Sequence, residues 1–319
     1  LKMGMADAAK DRFEQLKLNY RSNPLVLKQI ALIYLDQERH AEAVDILQTL
    51  LEETPEDLEL HYFLGMAFEG LDQSEEAIGA YEKVPEGSTF RQSTVIHLSF
   101  LYQKTGKEQK AVQLMEDAID EEPNQPELYL FLGAIYEDME AYDKAIDTLK
   151  QGLDLQPDDP RLHFGLGVVY DKAGEKEKCI EEMYAVIEAD PGHAEALNYL
   201  GYTYAELGTH LDEAEELIKR AMEHKADDGY ITDSLGWVYY KKGRYKEAIQ
   251  FLEEAAKLVP DDPAILEHLG DAYIKIQDPG KGLIFYRKAL EAKEKEEEDD
   301  TSLLEEKIES IETSSGGNG

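Results

Sequence analysis

Cysteine and long apolar runs are both scarce in this sequence. The single cysteine, Cys179, excludes a framework of disulfide bonds within the chain. No apolar stretch approaches the ~20 residues that a bilayer-spanning helix needs. The sequence therefore argues against direct insertion of this chain into a membrane.

Cationic side chains are also few relative to acidic ones. The 319 residues include 33 lysine and arginine residues against 69 aspartate and glutamate residues, which gives a formal net charge of −36. A uniformly acidic surface repels the phosphates of nucleic acids and the headgroups of anionic membranes. The composition predicts no nucleic-acid partner and favours a protein or peptide partner of basic character.

The apolar content is ordinary. At 42% hydrophobic residues the chain is too apolar for an acidic disordered protein. Its length allows two or three compact domains or one long array of repeats.

A period of 34 residues decides between these two organisations. Leu64-Gly65 recurs as Leu98-Ser99 and Leu132-Gly133, and the spacing then continues with a single one-residue insertion. The small residues of the series are Ala31, Gly65, Ser99, Gly133, Gly167, Gly201, Gly236 and Gly270. An aromatic residue follows three positions after each one, at Tyr34, Phe68, Tyr102, Tyr136, Tyr170, Tyr204, Tyr239 and Tyr273. A second small residue follows twelve positions after the first in nearly every copy, and Cys179 takes this place in the fifth.

This pattern resembles the tetratricopeptide repeat, in which a small residue and an aromatic mark the first helix and an alanine marks the second. Apolar residues recur at helical spacing in each unit, and no unit buries its apolar faces alone. The resemblance therefore implies an all-α fold, a right-handed superhelical solenoid of tandem helix-turn-helix repeats.

The predicted repeats cover residues 24–296. Their bounds are 24–57, 58–91, 92–125, 126–159, 160–193, 194–228, 229–262 and 263–296. Residues 1–23 fit the second helix of a truncated preceding repeat, so we expect further residues before Leu1 in the natural protein. Residues 297–319 are interpreted as an acidic linker, a capping helix with Leu304, Ile308 and Ile311 on one face, and a flexible tail.

The resemblance also predicts a binding surface. In the tetratricopeptide family the first helices of the repeats line a concave groove. The residues that determine which ligand binds lie three positions before, one position after and four positions after the small residue of each first helix. These positions hold aromatic, apolar and acidic residues here, so we expect an aromatic groove with an acidic rim that binds a basic and apolar protein segment. The candidate groove residues are Tyr62, Met66, Glu69, Phe100, Gln103, Glu137, Phe164, Asp171, Asn198, Tyr202, Asp233, Trp237 and Tyr240.

Two narrower comparisons refine this prediction. Lys28 occupies one position of the family's clamp for chaperone C-termini, but its partner position holds Leu32, which argues against a cochaperone role. The last three repeats resemble bacterial tetratricopeptide lipoproteins of the adaptor and scaffold type. That likeness implies a periplasmic, lipid-anchored parent protein, and a cytoplasmic location is the alternative.

The sequence offers no pattern that indicates catalysis. The eight histidines are scattered among the repeats without metal-ligand spacing, and Cys179 takes a packing position. We expect no catalytic residue, no metal and no cofactor, and we expect that the chain is not an enzyme.

Three functional interpretations remain open. The first is a scaffold or adaptor that binds a protein segment in the groove. The second is a structural protein that self-associates through its terminal helices. The third is the regulatory repeat domain of a larger enzyme.

Overall fold

A computed structural model describes residues 23–295 and 301–316. The predicted helix of a truncated repeat over residues 1–23 lies outside these residues, apart from its last position. The acidic run over 296–300 and the tail over 317–319 also lie outside them.

The described residues form seventeen α-helices and no β-strand, which confirms the all-α repeat solenoid. The chain divides into two compact units, residues 1–155 and residues 156–319.

Residues 23–155 of unit 1 form four consecutive helix pairs. Their bounds are α1 Pro24–Asp36, α2 His40–Glu53, α3 Leu58–Gly70, α4 Ser74–Tyr81, α5 Arg91–Lys104, α6 Glu108–Glu121, α7 Pro126–Asp138 and α8 Tyr142–Leu155.

The described residues of unit 2, 156–295 and 301–316, form four further pairs and a final single helix. Their bounds are α9 Pro160–Lys172, α10 Lys176–Ala189, α11 Ala194–Leu207, α12 Leu211–His224, α13 Gly229–Lys241, α14 Tyr245–Leu258, α15 Pro263–Lys275, α16 Pro279–Lys295 and α17 Ser302–Gly316.

The starts of several first helices follow from their capping residues. Asp159 and Asp262 have extended backbone, and their carboxylates accept hydrogen bonds from the first amides of α9 and α15. A proline occupies the first turn of both helices, where the missing N–H costs nothing. The sequence Asp-Pro therefore fixes where these repeats begin.

The turn inside each described helix pair contains a residue in the left-handed region, and the turn between α11 and α12 contains two, Gly208 and His210. Glycine supplies it at Gly106, Gly174, Gly208 and Gly243. Non-glycine residues supply it with φ near +60° at Glu38, Asp72, Glu140 and Gln277. A positive φ disfavours a further helical turn, so it separates the two helices of each pair.

The small residue of each first helix allows its partner helix to approach closely. A Cβ added at Gly65 would lie 2.6 Å from the ring of Tyr81, and one added at Gly133 would lie 2.6 Å from Cγ of Leu149. Tyr81 and Leu149 are both buried. The glycines therefore set the distance between the two helices of a pair.

The recurring aromatic residue joins consecutive repeats. The hydroxyl of Tyr102 donates to Glu82, which directly follows α4, and that of Tyr136 donates to Glu116 of α6. Both distances are 2.8 Å, and both carboxylates belong to the preceding repeat. Burial, followed by the hydrogen bond to the carboxylate, raises the pKa of both tyrosines to about 12, so they remain donors at neutral pH. Lys110 and Lys144 lie over the two rings, at 5.4 and 5.1 Å from the centroids.

A second contact ties three of the first helices to the turn before them. His61 Nε2 lies 2.7 Å from the carbonyl oxygen of Pro55, and His163 Nε2 lies 2.8 Å from that of Pro157. The hydroxyl of Tyr129 donates to the Pro123 carbonyl over 3.0 Å in the same way. These side chains occupy the same repeat position, which explains why histidine and tyrosine both occur there.

Helices that combine the length and the apolar character required to cross a bilayer do not occur within residues 23–295 and 301–316.

The close approach at Gly65 generates the first prediction. Substitution Gly65→Ala places a methyl group against the buried ring of Tyr81, and we expect a loss of about 1–3 kcal/mol in the free energy of unfolding. Gly79→Ala is the matched control on the partner helix, since a Cβ there meets no atom within 4 Å. It should stabilise the helix by about 0.5–1 kcal/mol. Urea denaturation followed by circular dichroism measures both, and equal effects would contradict this account of the packing.

Candidate partner-binding surface

The candidate groove residues lie on the first helices of their repeats, and each unit brings several of them together. Unit 1 contains Tyr62, Met66, Glu69, Phe100, Gln103 and Glu137, and unit 2 contains Phe164, Asp171, Asn198, Tyr202, Asp233, Trp237 and Tyr240. The two sets differ in how much of their surface remains open.

An aromatic cluster surrounds Tyr62 in unit 1. Its ring stacks on Phe90 with centroids 4.7 Å apart, and Tyr81 stacks on His97 with centroids 5.4 Å apart. Tyr62 and Met66 are half-buried. The cluster therefore supports the wall of the groove, and only part of its own surface is accessible to a partner.

The carboxylate of Glu69 lies at the edge of this cluster. It accepts a hydrogen bond from the Tyr81 hydroxyl over 3.0 Å and pairs with Nδ1 of His97 at 2.9 Å. Burial raises the pKa of Glu69, but the interactions with His97 and Tyr81 outweigh burial and lower it overall. Glu69 therefore carries a negative charge at neutral pH.

A cavity of about 360 Å³ lies next to Glu69, between α5 and α7. We call it the unit 1 cavity. Its polar wall consists of Glu69, His97, Ser99, Gln103 and Asp138, and its apolar wall of Ile96, Phe100, Met115, Phe131, Ala134 and Ile135. Gln103 Nε2 donates to Asp138 over 2.9 Å across the gap between the helices.

Two phenylalanines form the exposed part of the unit 1 cavity. Phe100 is 57% exposed and Phe131 is 37% exposed, unusual values for large apolar side chains. Phe131 was missed among the candidate residues because it lies one position away from the three groove positions that the resemblance marks. Glu137, which was among the candidates, is half-buried on the same helix.

Unit 2 fills the corresponding space with its own side chains. Trp237 is only 8% exposed, and its ring stacks between Tyr240, 4.5 Å away, and His268, 4.0 Å away. Its indole N–H donates to Glu206, and Lys241 lies over the ring at 4.8 Å from the centroid. We call Trp237, Tyr240 and His268 the indole stack.

A buried charge pair supports the indole stack. Nδ1 of His268 lies 3.0 Å from both carboxylate oxygens of Asp233, which is itself buried. Burial lowers the pKa of His268, but the negative charge of Asp233, the hydrogen bond to it, and the charges of Asp271 and Glu206 raise the pKa overall above 6.5. Tyr202 lies beside the stack, and burial raises its pKa above 10.0.

The remaining candidates of unit 2 lie on α9 and α11. Phe164 stacks on His193 at 5.5 Å, and Asp171 accepts a hydrogen bond from Tyr199 over 2.9 Å and pairs with Lys176. Oδ1 of Asn198 is buried without a hydrogen-bond partner.

The structure changes the interpretation of Trp237 and Asp233. We expected both side chains to face a partner, but they are buried among residues from neighbouring repeats. Their contacts come from Glu206 and His268, 31 residues away from Trp237 on either side. The more open positions beside them are Tyr202 and Tyr240, which are half-buried.

The final helix α17 covers the last repeat. Leu304 is buried against Leu266, Tyr286 and Ala289, and Ile308 and Ile311 pack on the same cluster. Lys307 Nζ donates to Glu267 over 2.8 Å and to Asp271 over 2.8 Å. Glu267 and Asp271 occupy the groove positions three before and one after the small residue Gly270.

Two features concern thiol reactivity and metal binding. Burial raises the pKa of the Cys179 thiol to about 12, so the thiol stays protonated. Across residues 23–295 and 301–316, histidine, cysteine and carboxylate side chains do not form a group of three or more that could hold a metal ion.

Family comparisons agree with the repeat pattern along most of the chain. Tetratricopeptide repeat profiles match residues 28–89, 103–166, 139–198, 180–230 and 263–296, and a TPR repeat profile matches residues 236–277. The chain belongs to the tetratricopeptide repeat family. Proteins of this family are in general protein-interaction scaffolds.

Sequence relatives match short stretches of this tetratricopeptide chain. A TPR repeat-containing protein of Pseudomonas aeruginosa is 42% identical over 79 residues, which is 25% of this chain and 13% of that protein. The human protein O-mannosyl-transferase TMTC1 is 46% identical over 70 residues, which is 21% of this chain and 8% of that protein. The chain thus spans only a small part of the length of these relatives.

Solved structures of tetratricopeptide proteins share the fold. One from Parabacteroides merdae has a TM-score of 0.63 at 12% identity, covering 80% of this chain and 98% of that one. A thermophilic TPR protein from Thermus thermophilus has a TM-score of 0.50 at 22% identity, covering 59% of this chain and 98% of that one. At these identities the likeness concerns the fold alone.

The burial of Trp237 generates the second prediction. Trp237→Ala removes a buried indole from between two rings, and we expect the free energy of unfolding to fall by about 3–5 kcal/mol. Phe100→Ala, at an exposed groove position, should change it by no more than about 0.5 kcal/mol. Denaturation followed by circular dichroism distinguishes the two variants. Equal stability of Trp237→Ala and the wild type would show that the indole is not part of the core.

The pair of His268 and Asp233 generates the third prediction. Because the folded-state pKa of His268 is raised, the pair stabilises unit 2 fully below pH 6.5, and this stabilisation is lost as the pH rises through the folded-state pKa. Trp237 is the only tryptophan, and a stacked imidazolium quenches indole emission. We expect its fluorescence to increase through a transition centred above pH 6.5.

Two variants test this assignment. His268→Gln should remove the fluorescence transition, and Asp233→Asn should shift it to lower pH because the nearest negative charge is lost. An unchanged transition in His268→Gln would assign the pH dependence to another group.

Proposed function

We propose that this chain is a scaffold or adaptor that binds an extended or helical segment of a partner protein along the first helices of its repeats. The observation that supports this most strongly is the unit 1 cavity, where Phe100 and Phe131 are exposed beside the carboxylates of Glu69 and Asp138. Exposed aromatic surface inside a concavity is where binding free energy concentrates at protein interfaces.

The charge of the chain defines the chemistry of the partner. With a formal net charge of −36 and acidic groups at the cavity, a partner segment of basic and apolar character associates fastest and avoids like-charge repulsion. The apolar residues of such a segment contact the phenylalanines, and its cations approach the acidic rim.

Several finer features belong to the same proposal. In this proposal the chain itself is not an enzyme. The resemblance of its last three repeats to bacterial envelope lipoproteins supports a lipid-anchored parent protein. A regulatory repeat domain of a larger enzyme is the second candidate, because the human relative that matches two tenths of this chain is named as a transferase. Self-association through the terminal helices is the third.

Comparative affinity capture tests the scaffold function. The wild-type chain and the double variant Phe100→Ala with Phe131→Ala serve as baits in a lysate of the source organism, with quantitative mass spectrometry as the readout. We expect the recovery of a specific partner to fall at least about tenfold in the double variant, because truncating contacts at the centre of an interface costs more than 1 kcal/mol.

Matched controls separate a groove effect from a general loss of apolar surface. Leu25 is 76% exposed and Ile284 is 54% exposed, and both lie outside the unit 1 cavity. The double variant Leu25→Ala with Ile284→Ala should capture the partner as the wild type does. Equal recovery by the two double variants would contradict binding at the cavity, and the absence of any reproducible partner would contradict the scaffold function.

A further inference from the structure

One lysine in unit 2 lies against acidic residues on the first helix of the last repeat. It shows which kind of side chain such a surface accommodates in this chain. Lys307 of α17 reaches the groove positions of the last repeat, and its Nζ lies 2.8 Å from Glu267 Oε1 and 2.8 and 3.1 Å from the two oxygens of Asp271. The ring of Tyr286 lies 5.3 Å from the same ammonium group. The site therefore combines two carboxylates with one aromatic ring.

Burial alone lowers the pKa of Lys307. The hydrogen bonds to Asp271 and Glu267 outweigh burial and raise the pKa overall, so the side chain is an ammonium ion over the whole neutral range. The last repeat thus holds a partly buried cation supplied by the chain itself.

Other groove carboxylates of unit 2 are also paired with basic side chains of the same unit. Asp233 pairs with His268, Glu206 with Lys241 at 3.4 Å, and Asp171 with Lys176. In the last two repeats, the groove carboxylates Asp233, Glu267 and Asp271 therefore have basic partners that the chain itself supplies.

The unit 1 cavity has a similar composition, but its one basic side chain is the imidazole of His97, and no lysine or arginine is among the described residues that line it. Phe100 and Phe131 supply the aromatic surface, and Glu69 and Asp138 supply the carboxylates. Glu69 is paired with His97, whereas Asp138 is held by the uncharged amide of Gln103.

We propose that the unit 1 cavity binds a single arginine or lysine side chain from the partner segment, with its aliphatic stem between Phe100 and Phe131 and its charged head at Asp138. Arginine is preferred, because its planar guanidinium group stacks on aromatic rings and pairs with a carboxylate through two hydrogen bonds. A leucine on either side of the cation extends the apolar contact onto Ile96 and Ala134. This inference rests on the proposed function and names the residue that anchors the partner.

The test uses the full chain and two short acetylated peptides that differ in one residue. The first peptide carries one arginine flanked by leucines, and the second carries citrulline, an uncharged isostere of arginine, at the same place. We expect the arginine peptide to bind about tenfold more tightly in isothermal titration calorimetry at low salt, because a charge-assisted hydrogen bond is roughly twice as strong as a neutral one.

Variants of the chain assign the effect to one carboxylate. Asp138→Asn should weaken the arginine peptide about three- to tenfold and leave the citrulline peptide unchanged, because Asp138 is exposed and its charge is screened. Asp117→Asn is the matched control, since Asp117 of α6 is also exposed and accepts a hydrogen bond from Gln113 over the same 2.9 Å. This control should bind both peptides as the wild type does.

Three outcomes would overturn the inference. They are equal affinity for the two peptides, an equal effect of Asp138→Asn and Asp117→Asn, and no binding of the arginine peptide. The scaffold function is judged separately by the capture experiment. If capture of a partner depends on Tyr202 or Tyr240 but not on Asp138 and Phe100, the chain is a scaffold and the assignment to the unit 1 cavity is wrong.

Discussion

The close approach of two helices at a residue without a large side chain is the interaction on which the structure depends. Where Gly65 faces Tyr81 and Gly133 faces Leu149, a single added carbon would overlap the partner side chain. This contact defines the helix pair, and pairs then stack through tyrosines such as Tyr136, which reaches a glutamate of the preceding repeat. Because each repeat contacts its neighbours, the stability of such an array is close to a sum over neighbouring pairs.

The local sequence pattern was sufficient to predict the repeats. It was not sufficient to predict which groove side chains are buried and which are exposed. The spacing of Gly236 and Tyr239 recurs in every repeat, so the sequence predicted it directly. The burial of Trp237 depends on Glu206 in the preceding repeat and His268 in the following one, and no short pattern encodes those two contacts together. Phe131 was missed for a related reason, because its exposure results from the gap between α5 and α7.

The first helices of the two units differ in how far side chains of the same unit cover them. In unit 2 the first-helix surface is occupied by the indole stack and by Lys307, so its aromatic and acidic side chains stabilise the array itself. In unit 1 the corresponding side chains border a cavity. Phe100 is exposed to solvent there, which is unfavourable for a large apolar side chain and is not explained by folding alone. A surface that is costly in the unbound chain is the expected signature of a binding function.

The turns inside the helix pairs have a consequence for backbone strain. Three of the four described turns in unit 1 place glutamate or aspartate in the left-handed region, at Glu38, Asp72 and Glu140. In unit 2 three turns use glycine, although the turn with Gly208 also holds His210 at positive φ, and Gln277 supplies the fourth. A non-glycine residue in this region costs roughly 1 kcal/mol. The described turns of unit 1 therefore store more backbone strain than those of unit 2, and a glycine at one of the three acidic positions would relieve it.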